Sequence, residues 1–233
     1  EAEAEALHAI SATGSIRVPR PIGTGVVGEE AYLALEHIDL CSPAARSWED
    51  LGRQLAELHH HTAQDGRFGW HRDNYIGEIE QPNTAEADWA GFFTRHRLQH
   101  QLELADQNGY RFDGASEILH WSREKLAGHT PPASLLHGDL WSGNASFTTG
   151  GEPVICDPAS YYGDPETDLA FTEMFGGFDR RFYRAYREAN PPKPGHEVRK
   201  MLYNLYHLIN HTNHFGGSYA TSAQDCIHRL LRA

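Results

Sequence analysis

The 233-residue chain has no apolar run of about 18 residues, the length a membrane-spanning helix needs. It also lacks a basic-then-apolar opening of the secretory type. Cysteine is scarce: Cys41, Cys156 and Cys226 are odd in number and far apart. That argues against a disulfide framework or a cysteine zinc site, and it fits a reducing compartment. Positive charge is scarce as well. Twenty Lys and Arg face 32 Asp and Glu, for a formal charge of −12. Such a balance argues against a nucleic-acid partner, which would want a basic face. The expectation is a soluble cytoplasmic protein with neither membrane nor nucleic acid as partner.

Apolar residues (39%) and charged residues (22%) stand in the ratio of an ordinary globular chain, long enough for one large domain or two small ones. Sixteen histidines are many, and the run His59, His60, His61 looks like a metal tract. The segment "WEDLGRQLAELHHHTA" is helical in period, however, with Leu51, Leu55 and Leu58 on one face. Adjacent side chains on a helix diverge, so these three cannot hold one ion, and a surface or packing role is expected.

Helices are expected over 1–12, ending near Gly14, and over 47–63. Further helices are expected within "DWAGFFTRHRLQHQLELAD" and over 115–127, 165–175, 178–189, 195–214 and 221–232. "EEAYLALEHID" reads as a strand, and residues 64–84 as an irregular connection. Two short apolar runs, in "PPASLLHGDL" and "PVICDPAS", end in aspartates. The fold class is therefore α+β: a strand-containing opening, then a mainly helical body whose few short strands carry the polar motifs.

Asp139 and Asp157 each follow an apolar strand-like segment, which would hold a carboxylate rigidly at a cleft. Asn144 stands five residues beyond Asp139, and Asp157 eighteen beyond it. An aspartate, four intervening residues and an asparagine is the spacing of the kinase catalytic loop, and a second aspartate completes the oxygen ligands for magnesium. A lone motif of this kind would be read as a capped turn. Two, in the right order and distance, favour phosphoryl transfer. Asp139 is then the catalytic base, and Asn144 and Asp157 are metal ligands. Asp164 reads as a helix N-cap ahead of Pro165. Asp168, one turn inside, is expected to tie down the backbone of the catalytic loop.

The stretches "LLHGDLWSGN", "DPASYYGDPETDLAFTEMFGGF" and "LYNLYHLINHTNHFG" resemble the ketosamine kinase (fructosamine kinase) family of protein-kinase-like enzymes. "FFTRHRLQHQLELA" and "ATGSIRVPRPIG" extend the resemblance over essentially the whole chain. It implies a protein-kinase-like fold, ATP and Mg2+ as cofactors, and phosphorylation of the 3-hydroxyl of a ketosamine, free or protein-bound. It further implies a hinge at Glu36, His37 and Ile38, whose backbone would meet adenine. Trp141 would form an aromatic wall for the substrate, with His211 and Asn213 as further substrate contacts. "EAEAEALHAI" resembles the family's helix C rather than an added tail. Glu3 is then the partner of the phosphate-binding lysine, with Glu1 as the alternative.

That lysine and a glycine-rich loop are absent from the 233 residues; Lys125, Lys193 and Lys200 all lie past the hinge. The expectation is a remnant of a small lobe over 1–38 and a helical large lobe over 39–233. Little activity is expected from these residues alone, with a first helix left loose for want of its sheet. An aminoglycoside- or choline-type kinase and a non-catalytic truncated pseudokinase remain the alternative readings.

Overall fold

A computed structural model describes residues 1–233. Helix α1 (Ala2–Thr13) stops at Gly14, whose left-handed φ of 65° favours glycine. A hairpin follows, β1 (Pro21–Val27) against β2 (Glu30–Leu35), turning at Gly28. The short strands β3 (Leu40–Cys41), β7 (Ala145–Thr148) and β8 (Pro153–Ile155) form an antiparallel sheet in the order β3-β7-β8. A second pair, β6 (Ser134–Leu135) and β9 (Tyr162–Gly163), lies beside it in the chain's path.

The first helix is not loose. Leu7 and Ile10 are fully buried and share one apolar cluster with Leu51, Leu55, Leu58 and Ile155. The expectation counted only the face a sheet would cover. The other face, with apolar residues three apart, is buried against the helical body.

Helix α2 (Ala45–His59) is the body's first. It ends earlier than its periodicity predicts because His61 turns to pair its carbonyl with Leu135 N–H, beside β6. Helix α7 (Arg180–Ala189) packs against it at Gly52, where a Cβ would lie 2.4 Å from the Phe182 carbonyl oxygen. Helices α6 (Glu166–Met174), α8 (His196–Phe215) and α9 (Ser218–Leu230) complete this side, with α5 (Ala115–Leu126) behind them.

Two segments depart from their expected form. Residues 64–84 contain a hairpin, β4 (Asn74–Ile76) and β5 (Ile79–Gln81). The long helix after Asp88 begins as α3 (Trp89–Phe92), winds as a π-helix over Phe93–Gln99, and resumes as α4 (His100–Gln107). Arg97, fully buried in the π stretch, links the two. Its guanidinium lies 3.9 Å from the Tyr161 ring centroid and donates to Pro82 O (2.6 Å) and Asn83 Oδ1 (2.7 Å). From there a buried amide network reaches the hairpin: Asn83 Nδ2 donates to Asn74 Oδ1 at 2.7 Å, and Asn74 Nδ2 to Ser160 O at 2.8 Å. The hairpin is thereby pinned next to the loop that carries Asp157.

Candidate active site

The loop 137–144 is shaped by what surrounds it. Gly138 has φ 84°, and a Cβ there would meet the Ala159 carbonyl oxygen at 2.1 Å, so only glycine fits. His137 is fully buried, and burial lowers its pKa, so the ring is neutral. Its Nε2–H donates to Cys156 O at 2.9 Å, leaving Nδ1 to accept the Asp139 N–H at 3.2 Å. Asp168 accepts the His137 N–H at 2.7 Å and the Gly138 N–H at 2.8 Å. His59, which the sequence placed in a histidine run, is buried with its Nε2 3.1 Å from Asp168 Oδ2 and its Nδ1 2.7 Å from Tyr186 Oη.

Asp139 and Asn144 are brought together: Asn144 Nδ2 donates to Asp139 O (2.9 Å) and Oδ2 (3.1 Å). Asp157 is the chain's one non-glycine residue with positive φ, 55°. Aspartate tolerates that region better than most residues, and the turn leaves its carboxylate exposed. Burial, then the charge of Asp157, pushes Asp139 up to about 7, against the lowering hydrogen bond from Asn144.

Asp139 and Asp157 line two cavities. One, of about 570 Å³, lies under the β1–β2 hairpin and is also lined by Glu3, Glu1, Tyr32 and Arg72. The other, of about 450 Å³, lies between the β4–β5 hairpin and α8, lined by Trp141, Asn144, Phe171, Asn210 and His211. Burial and the Asp157 charge raise the Glu3 pKa as well. Four carboxylates, of Glu1, Glu3, Asp139 and Asp157, thus line the first chamber. A hard cation fits this donor set: Asp157 offers charged oxygens, and Asn144 spends its nitrogen on Asp139, which leaves its amide oxygen free to coordinate.

The other expected residues divide. Trp141 and His211 face the second chamber. Asn213 does not: its amide donates to Gln101 O (3.0 Å) and Oε1 (2.7 Å), because it falls on another face of α8. Glu36, His37 and Ile38 follow β2 and are not among the residues lining either chamber. The Glu36 carboxylate is held by Arg17 at 3.1 Å. Asp164 does more than cap. Its Oδ1 accepts the Glu166 N–H (3.0 Å), but its Oδ2 also accepts the Tyr203 hydroxyl (2.6 Å) and lies 2.7 Å from His129 Nε2. The sequence reading missed His59, Arg97 and the Asn74–Gln81–Asn83 amides. None stands in a recognisable spacing, and only the fold brings them to the site.

Fold and site together define a kinase-like phosphotransferase. The chain matches the fructosamine kinase family over residues 1–233, and it belongs to that family. It is 46% identical over 232 residues to a probable ketoamine kinase of Synechocystis sp., covering 100% of this chain and 78% of the relative. It is 42% identical over 237 residues to the chloroplastic protein-ribulosamine 3-kinase of Oryza sativa subsp. japonica, covering 100% and 68%. A crystal structure from Haemophilus somnus that carries a provisional fructosamine-3-kinase name superposes with a TM-score of 0.93 at 32% identity, over 99% of this chain and 78% of that one. A choline/ethanolamine kinase family protein from Mesorhizobium loti shares the fold, with a TM-score of 0.63 at 17% identity over 99% and 78%. The architecture is α+β and protein-kinase-like, and no helix is long and apolar enough to cross a membrane.

Proposed function

We propose that the protein transfers the γ-phosphoryl group of ATP to a sugar hydroxyl of ketosamines, at the 3-position that the rice relative's name specifies. The observation that carries this reading is that Asp139 and Asp157 line both chambers. Nucleotide would occupy the chamber under β1–β2 and sugar the chamber beside α8, so the transferred phosphoryl passes between two carboxylates.

Asp139 takes the proton of the attacking hydroxyl as the new O–P bond forms and the bond to the ADP oxygen breaks. A group whose pKa lies near neutrality is suited to that exchange. Asp168 holds the two N–H groups that precede Asp139, fixing where the base points. Asn144 and Asp157 would hold magnesium, which supplies charge neutralisation at the phosphates. Trp141 offers the sugar-amine an apolar wall, and His211 a ring nitrogen. Glu3 faces the same space from α1, where the family resemblance places the partner of a phosphate-binding lysine. The three lysines of the chain are not among the residues lining this chamber, while Arg72, which is, already pairs with Glu5 at 3.0 Å.

The test is phosphate transfer from ATP to fructosyl-lysine and ribulosyl-lysine, beside an aminoglycoside and choline, with MgATP binding measured by calorimetry. Transfer to a ketosamine alone supports the reading. Transfer only to the aminoglycoside or choline overturns it, as does absence of any MgATP binding.

A further inference from the structure

Asn210, in α8, lines the second chamber with Asp139 and Trp141 yet is only 3% exposed. Its Nδ2 is buried and has no hydrogen-bond partner. A buried amide left unpaired costs ~1–3 kcal/mol, so its retention calls for a compensating role.

The polar residues that follow Asn210 along α8 are engaged in whole or in part. His214 Nε2 lies 3.1 Å from Ile76 O. Asn213 is tied to Gln101. His211 Nδ1 donates to His207 O at 2.7 Å, which leaves its Nε2 as a lone pair. Asn210 is thus the side chain in this row with an unanswered donor, and His211 Nε2 is an acceptor lining the same chamber.

We propose that Asn210 positions the sugar by hydrogen bonding one of its hydroxyls, with His211 Nε2 accepting from a different hydroxyl of the same sugar. This rests on the ketosamine reading and names the residues that would read the sugar. A hydroxyl both donates and accepts, so it can satisfy either end of a carboxamide. An ammonium could not receive the unanswered N–H. The nucleotide is served by the other chamber, whose lining does not include Asn210.

Asn210→Leu keeps much of the volume and removes the unpaired amide. Calorimetry should show fructosyl-lysine and ribulosyl-lysine binding weakened ~10- to 100-fold, the loss of one hydrogen bond to a buried donor. MgATP binding should be unchanged, and the melting temperature equal or higher. Unchanged ketosamine binding would overturn the assignment while leaving the ketosamine reading intact. So would a lower melting temperature with ketosamine affinity reduced only in step with it. A wild-type protein that binds no ketosamine would overturn both. Should the leucine variant not fold, Asn210→Ser is set against mono-deoxy ketosamines. One deoxy position should weaken wild-type binding but cost the variant nothing further; no such coupled position would overturn the assignment.

Discussion

Asp168 holds His137 by its backbone: Oδ2 accepts the His137 N–H at 2.7 Å, while Oδ1 takes that of Gly138 at 2.8 Å. Burial alone would raise this carboxyl's pKa. The hydrogen bond and charge of His59, then His137 and the Gly138 N–H, outweigh it and hold the group ionised. The 137–144 loop is therefore fixed by a charged acceptor in α6, supported from α2.

Asp168→Asn replaces one of those acceptor oxygens by a donor that faces another donor. One backbone N–H is left unpaired, so unfolding in urea should show a loss of ~1–3 kcal/mol. Because Asp139, the proposed base, sits one residue further on, kcat should fall by ~100-fold as its aim is lost. A variant that loses stability but keeps kcat would reduce the clamp to a structural tie.

Asp139 makes a pH dependence of defined sign. Its folded pKa of about 7 lies above the ordinary value of 3.8. Between those values the folded state binds more proton than the unfolded state, so this group's contribution to stability falls as pH rises through the window. Asp139→Asn cannot ionise. Measured without metal or nucleotide, the variant should gain on the wild type steadily from pH 4 to pH 7, while phosphate transfer drops by at least ~100-fold. A constant stability difference across that range would contradict the placement of the two carboxylates.

Glu166 has the opposite sign. Burial raises its pKa, but the Arg199 fork, with bonds of 2.7 and 2.8 Å, holds it well below the usual carboxylate range. His196 Nδ1 lies 3.3 Å away but outside hydrogen-bonding alignment, so the fork carries the effect. Stability from this pair is full above the ordinary 4.5 and is lost as pH falls below it. Glu166→Gln should cost ~3–5 kcal/mol at neutral pH, because Arg199 is left buried without a counter-charge. Against the wild type, that gap should close under acid, as followed by chemical unfolding from pH 7 to pH 3.

Much of this was legible in the sequence because chemistry with fixed spacing leaves a local trace. Asp139, Asn144 and Asp157 lie on two short loops, and helix periods marked most of α1 to α9. The hairpin β4–β5 left no such trace: six residues of strand among polar side chains carry no clear alternation. Its position is set by Arg97, a residue that reads as a solvated helix charge until the fold stacks it on Tyr161. His59 and Asn210 were hidden for a related reason. Each belongs to a helix that carries many other polar residues, and only burial separates the engaged side chain from its neighbours. Asn213 shows the converse, since the two positions from His211 to Asn213 turn the side chain by about 200°, to the opposite side of α8.

Trp141 stands over Gly143, where a Cβ would come within 2.3 Å of the indole. The ring is 39% exposed and has Phe175 edge-on at 6.3 Å, so it is held from beneath and from one side. Trp141→Ala should leave stability within ~1 kcal/mol, since little apolar area is lost from the core. It should raise the ketosamine KM by ~10-fold, the worth of about half an aromatic side chain buried against ligand. Trp141→Phe should recover most of that loss. Gly143→Ala is the sharper variant. The added methyl touches no substrate, yet it forces the indole off its seat, so it should reproduce the Trp141→Ala rise in KM with the tryptophan still present. If KM holds while the indole fluorescence shifts, the ring has moved without consequence and its role as a substrate wall is lost.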